Sequence, residues 1–175
     1  FIMIIRDRVF FFADCAVNIS PSAEDLAAIA ELSAEVATNF DIGTRIAMLS
    51  FSNFGSVAHP NPQTVARAVE ILRKRQPSLH VDGEMTADAA VVPELIDRLY
   101  AFSRVREANV LIFPDLNAAN TSYQLMQRLG GAEAIGPVLM GMARAVHILL
   151  PSHDVRDIVN MAAIAAVDSQ MRALA

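Results

Sequence analysis

Val110-Leu111-Ile112-Phe113-Pro114-Asp115-Leu116-Asn117-Ala118-Ala119-Asn120 is the stretch on which the fold turns. An apolar run of strand length ends in a proline and delivers Asp115, Asn117 and Asn120 into a turn that opens a helix. In an open α/β sheet, ligands bind outside the carboxyl ends of the strands. A strand-end loop dense in short polar side chains is therefore a binding-site signal. Helix capping and turn chemistry are the plainer account of the same residues, because Asp and Asn perform both throughout proteins.

Outward from this stretch, strand-like and helix-like segments alternate. Val9 to Ala13, Ile46 to Phe51, Leu79 to Asp82, Val110 to Phe113 and Ala145 to Leu150 read as five short apolar strands. Between them, Ser22-Ala23-Glu24-Asp25 signals a capped helix start, and Leu26, Ile29, Ser33, Val36 and Phe40 follow at helical spacing. Asn61-Pro62 opens a second helix. Helical residues follow Glu84 to about Tyr100, and further helices run from Asn117 to Leu129 and from Val155 to about Leu174. Gly130 stands where a C-terminal glycine ends the Asn117 helix. No hairpin turn joins any two of these strands in the reading. Such alternation predicts an α/β fold, a three-layer αβα sandwich around a mostly parallel sheet of about five strands. The loops at 14–18, 50–56, 82–84 and 115–120 then share one sheet edge.

Composition narrows the function classes. The 175 residues suffice for one domain with a core, and 54% hydrophobic against 19% charged residues excludes a disordered chain. A net charge of −5 with scattered basic residues argues against a nucleic-acid partner. Arg6, Asp7 and Arg8 interrupt the first apolar run before it reaches membrane-spanning length. The lone Cys15 forms no internal disulfide and fits a reducing, cytoplasmic setting; it is either a nucleophile or a small core residue. The start at Phe1 has neither a charged leader nor an initiator methionine and leads almost at once into a strand, which suggests a piece of a longer polypeptide.

Most familiar chemistries leave no mark. There is no Gly-x-Gly-x-x-Gly after a strand and no Gly-Lys-Ser or Gly-Lys-Thr. His59, His80, His147 and His153 lack metal-ligand spacing, so no metal site is expected. No serine sits in a Gly-x-Ser-x-Gly elbow. Asp82 and Glu84 read either as a proton-handling pair or as a turn with a cap.

Five motifs occur in an order that resembles the phosphate acetyltransferases: Ala47-Met48-Leu49-Ser50-Phe51-Ser52, Val81-Asp82-Gly83-Glu84-Met85, Phe113 to Asn120, Leu129 to Pro137, and Asp157-Ile158-Val159-Asn160. The chain looks like the C-terminal half of that phosphotransacetylase/isocitrate-dehydrogenase-like fold. Ala13-Asp14-Cys15-Ala16-Val17-Asn18 and Ser50-Phe51-Ser52-Asn53-Phe54-Gly55-Ser56 resemble one branch, the phosphotransacetylase-like C-terminal domain of large bacterial NADP-dependent malic enzymes. The resemblance implies residues 1–150 as a C-terminal lobe and 151–175 as a terminal helix returning to an N-terminal lobe.

The same resemblance implies Asn18, Ser50, Ser52, Asp115, Asn117, Asn120 and Asp157 as ligand-binding residues. Active members carry Leu-Ser-Arg-Gly after the last strand and an aspartate further on. The matching stretch here is Leu149-Leu150-Pro151-Ser152, so Leu150 and Pro151 replace the serine and arginine, and Asp157 matches the aspartate. Proline brings neither charge nor donor to a phosphate.

The expectation is therefore a non-catalytic module that senses acetyl-CoA or a related coenzyme A ester. It self-associates and regulates a malic-enzyme domain on its N-terminal side. NADP and a divalent metal belong to that absent portion, and no cofactor to this one. The alternatives are a working phosphate acetyltransferase, with Asp157 as base and Ser152 compensating, and a purely structural dimerisation domain.

Overall fold

A computed structural model describes residues 1–151 and 153–174. Six strands form one sheet: β1 (Ile2–Ile5), β2 (Arg8–Ala13), β3 (Ile46–Leu49), β4 (Val81–Met85), β5 (Val110–Ile112) and β6 (Glu133–Ile135). Their order is β4-β3-β5-β2-β1-β6, with β4, β3, β5 and β2 mutually parallel and β1 antiparallel to both its neighbours. The helices are α1 (Ala23–Asn39), α2 (Pro60–Arg75), α3 (Ala87–Val91), α4 (Pro93–Leu99), α5 (Leu116–Arg128) and α6 (Val155–Leu174).

Period-two alternation along the strands builds two cores. Phe11, Ile46, Met48, Val81, Val110 and Ile112 pack with Leu26 and Ala30 of α1, Val65 and Leu72 of α2, and Met161 and Ile164 of α6. Phe10, Phe12, Ala47, Leu49, Leu111 and Phe113 face the other way, onto Ala90 of α3, Ile96 of α4, and Ala119 and Tyr123 of α5. This is the three-layer sandwich that the alternation predicts.

Local chemistry sets the helix starts. Ser22 and Asp25 form a reciprocal capping box on α1. His59 caps α2 with its Nδ1, two residues ahead of the Asn61-Pro62 signal, because Pro60 occupies the first helical position.

Four details depart from the sequence reading. β1 and β2 are joined by a hairpin whose turn residues, Arg6 and Asp7, both take positive φ (48° and 62°). Such turns usually carry Asn-Gly, so Arg-Asp concealed this one. β6 is a short strand that pairs with β1. Ala145 to Leu150 is not a strand. The sheet position beside β1 is taken by Glu133–Ile135, and the later apolar run is irregular, with Val146, Ile148 and Leu149 exposed.

The fourth departure is that Asp82-Gly83-Glu84 is no strand-end turn but the middle of β4. Gly83 is required there. A Cβ would stand 2.6 Å from Met48 O, where the register between β3 and β4 shifts, and φ is +143°. The strand therefore continues through a residue that looks like a breaker.

Candidate functional site

The connections leaving β2 and β5 go to opposite faces of the sheet, β2 to α1 and β5 to α5. These neighbouring parallel strands thus flank a topological switch point, the crevice where open α/β sheets bind ligands. The loop after β2 is built around Asp14. Its Oδ1 accepts from Ala16 N (2.7 Å) and Val17 N (3.0 Å), and its Oδ2 from Asn18 N (2.8 Å) and Asn18 Nδ2 (2.7 Å). Partial burial works against the charged form, yet these four donors hold the Asp14 carboxyl below its ordinary value.

The β5 loop is stitched to the same turn. Phe113 N donates to Ala13 O (2.7 Å), Leu116 N to Ile19 O (3.2 Å), and Asn120 Nδ2 to Cys15 O (3.3 Å). Asp115 is the N-cap of α5, accepting from Ala118 N at 2.8 Å, and Asn117 is exposed on the first turn. Cys15 is buried, and burial pushes its thiol up to about 11. It is a core residue, and the nucleophile reading is dropped.

Ser50 and Ser52 belong to a second cluster, above β3 and β4. Ser52 Oγ donates to Glu84 Oε1 (2.8 Å), which also accepts from Gly55 N (2.7 Å). Ser52 Oγ accepts in turn from Val57 N (3.1 Å), and Thr86 N donates to Asn53 Oδ1 (2.8 Å). Glu84 is buried and anchors the 50–57 loop to β4. Asp82 is buried as well and is saturated by Arg73, Ser103 Oγ and the Arg104 amide. Neither acid is a turn cap, and their hydrogen bonds make both of them scaffolding rather than a proton-handling pair.

Asp157 sits apart from that edge, beside β6 and the end of α5. It pairs reciprocally with Asp154, each carboxylate accepting the other's backbone N–H at 3.0 Å, at the start of α6. A cavity of about 600 Å³ opens there, lined by Asp157, Asp154, His153, Leu150, Gln124, Arg128 and Arg156 among others. Leu150 and Asp157, matched to family positions by sequence alone, therefore share one cavity. Pro151 is exposed in the adjoining turn, and Ser152 lies outside the described residues.

Two cations that the sequence reading missed enter this cavity. Arg156 is paired with Glu133 at 2.8 Å. Arg128, on the last turn of α5, joins no ion pair among the described residues. Only the fold of α5 against β6 could reveal this, since Arg128 and Asp157 are 29 positions apart in the chain. The cavity thus brings one guanidinium without an ion pair, Arg128, and the Asp157 carboxylate into one lining, beside Glu133 and Asp154; a cation and a carboxylate together suit an anionic ligand with one transferable proton. Asn18, by contrast, lines a separate apolar cavity on the α1 side. The seven sequence-derived residues thus fall into three groups instead of one pocket.

The family model for phosphate acetyl/butaryl transferase matches residues 1–166. The chain belongs to that family. It is 48% identical over 167 residues to a phosphate acetyltransferase of Thermoanaerobacterium thermosaccharolyticum, covering 94% of this chain and 51% of the relative. It is 45% identical over 167 residues to an NADP-dependent malic enzyme of Escherichia coli, covering 94% of this chain and 22% of that protein.

A crystal structure of a phosphotransacetylase from Streptococcus pyogenes superposes with a TM-score of 0.93 at 41% identity, covering 97% of this chain and 53% of that one. The chain spans about half the length of the phosphate acetyltransferase relative and less of the malic enzyme. The match confirms the mixed α/β, mostly parallel architecture. Among the described residues no three His, Cys, Asp or Glu side chains group as a metal site, and no helix is long and apolar enough to cross a membrane.

Proposed function

We propose that this chain is one lobe of a coenzyme A ester site, and that its chemistry is acyl transfer between coenzyme A and phosphate. The observation that carries the reading is the convergence of Arg128, Arg156 and Asp157 on one cavity beside the Leu149-Leu150-Pro151 stretch. Arg128 supplies the positive charge that a phosphate oxygen needs. Asp157, held by the Asp154 amide, is oriented to take the proton of the coenzyme A thiol, the role its family position implies. Phosphate acetyltransferases at 43% and 48% identity support this reading over the sensing module expected from sequence. Release of free thiol from acetyl-CoA on adding phosphate tests it. Turnover that falls to background in Asp157→Asn supports it; no phosphate-dependent release by the unaltered protein overturns it.

A second reading has its own observation. Leu150 and Pro151 stand where transferring members carry serine and arginine, and removing one preorganised donor at a developing charge costs about a hundred- to a thousandfold in rate. With the 45% identity to a malic enzyme, this favours a regulatory lobe that binds acetyl-CoA and self-associates beside a malate-oxidising domain, to which NADP and a divalent metal would belong. Sensing requires that acetyl-CoA bind two states of the assembly unequally. Malate turnover followed while acetyl-CoA is added, with light scattering for oligomer size, tests it. A flat response with no phosphate-dependent thiol release would leave only a structural role.

A further inference from the structure

Leu150 and Pro151 bring no side-chain donor to the polar cavity, but His153, in the same turn, lines it together with Arg128 and Asp157. Two hydrogen bonds fold this turn on itself. His153 N donates to Leu150 O (3.0 Å), and Leu150 N donates to His153 Nδ1 (3.3 Å). A backbone N–H aimed at Nδ1 requires that nitrogen to be bare, so the ring carries its proton on Nε2. The turn therefore sets both the tautomer and the seat of the ring. Nε2–H itself enters no hydrogen bond or ion pair among the described residues.

His147 shows the same ring chemistry turned inward. Its Nδ1 accepts from Leu139 N (3.2 Å), while its Nε2 stands 3.5 Å from Asp168 Oδ2, both side chains buried. That donor is spent on the packing of α6. His153 is only half-buried, and its neighbours in the cavity are otherwise engaged. Asp154 and Asp157 accept each other's backbone N–H, and Glu133 holds Arg156. A phosphate presents more acceptor oxygens than the one guanidinium of Arg128 satisfies.

We propose that His153 donates a hydrogen bond from Nε2 to a phosphate oxygen held by Arg128, as the donor that Leu150 and Pro151 do not supply. This rests on the reading of the cavity as the acyl-transfer site and names a further phosphate-binding residue in it. No proton leaves the ring, and Asp157 remains the base.

Two variants separate the donor from the turn. Asparagine keeps an acceptor near the Nδ1 position for Leu150 N but has no donor at Nε2; glutamine places an amide N–H within reach of Nε2. Phosphate-dependent thiol release from acetyl-CoA is followed over a range of phosphate concentrations. His153→Asn should raise the KM for phosphate about tenfold or more, with little change in the KM for acetyl-CoA. His153→Gln should lose less. The reverse order, with His153→Asn near the unaltered protein and His153→Gln impaired, would assign the ring to the turn alone and overturn the proposal while leaving acyl transfer standing. Long-range proton–nitrogen spectra of the imidazoles give a readout besides activity. The Nε2 signal of His153 should move when inorganic phosphate is added. A signal that stays in place would overturn the donor role. If that signal moves but the unaltered protein releases no thiol, acyl transfer fails and the anion donor stands; neither shift nor release would overturn both.

Discussion

Ser52 donates its hydroxyl proton to Oε1 of Glu84 across 2.8 Å, and this buried contact holds the loop after β3 to the strand beside it. The carboxylate has no cation partner among the described residues; its oxygen is satisfied by Ser52 and by Gly55 N at 2.7 Å. A buried carboxylate that loses a donor bears the cost of its own desolvation. Ser52→Ala should therefore destabilise the fold by about 1–3 kcal/mol. Urea denaturation followed by circular dichroism measures this, and an unchanged midpoint would show that the contact contributes nothing.

Asp14 makes a different prediction, about pH. Its folded carboxyl titrates below the ordinary value of 3.8, because four donors outweigh partial burial. A depressed carboxyl contributes stability that is fully present above its unfolded pKa and disappears as pH falls through the folded pKa. Asp14→Asn should lower the melting temperature at pH 7 and approach the parent protein as the pH falls below 3.8. Parallel melting curves with a constant gap at every pH would contradict this.

Cys15 offers a probe of opening. With its thiol buried and pushed up to about 11, little thiolate exists at pH 8 and none is accessible. Native protein should react with a disulfide reagent at least about tenfold more slowly than unfolded protein. Rapid labelling of the folded chain would mean that the β2 loop opens freely despite its bonds to Asn120 and Leu116.

Arg128 tests the site directly. Removing a charge-assisted hydrogen bond to a phosphate costs about 1.5–3 kcal/mol, so Arg128→Gln should weaken coenzyme A binding about tenfold or more. Arg156→Gln should weaken it less, since Glu133 already engages that guanidinium. Calorimetry on the two variants decides the order; equal losses would move the anion away from Arg128.

What was legible in the sequence follows from where the determining physics is local. The capping box Ser22/Asp25 and the Asp115 cap of α5 are each set by residues within a few positions, and the structure shows both in place, whereas the left-handed glycine beyond α5 is Gly131 (φ +68°) and not Gly130. The hairpin at Arg6-Asp7 and the strand at Glu133–Ile135 were not legible. Both depend on long-range pairing with β1, which overrides unremarkable local preferences. Asp82 and Glu84 looked like turn residues because Gly83 looks like a breaker; only the approach of Met48 O shows why a glycine belongs in mid-strand.

The candidate site divides the same way. The edge shared by the loops after β2, β3 and β5 was readable, because alternation of strands and helices dictates that they emerge together. The membership of the site was not. Asn18, Asp115 and Asn120 cluster by β2 and β5, Ser50 and Ser52 by β3 and β4, and Asp157 by α6. Arg128 carried no signal at all.

By itself, then, the order of residues determined the three-layer class, most helix ends and the edge where the loops after β2, β3 and β5 emerge, since periodicity and capping act over a turn or two of chain. Tertiary structure alone decided which charges share a cavity with Asp157. That arises from packing between segments tens of residues apart in the chain, where no local rule applies.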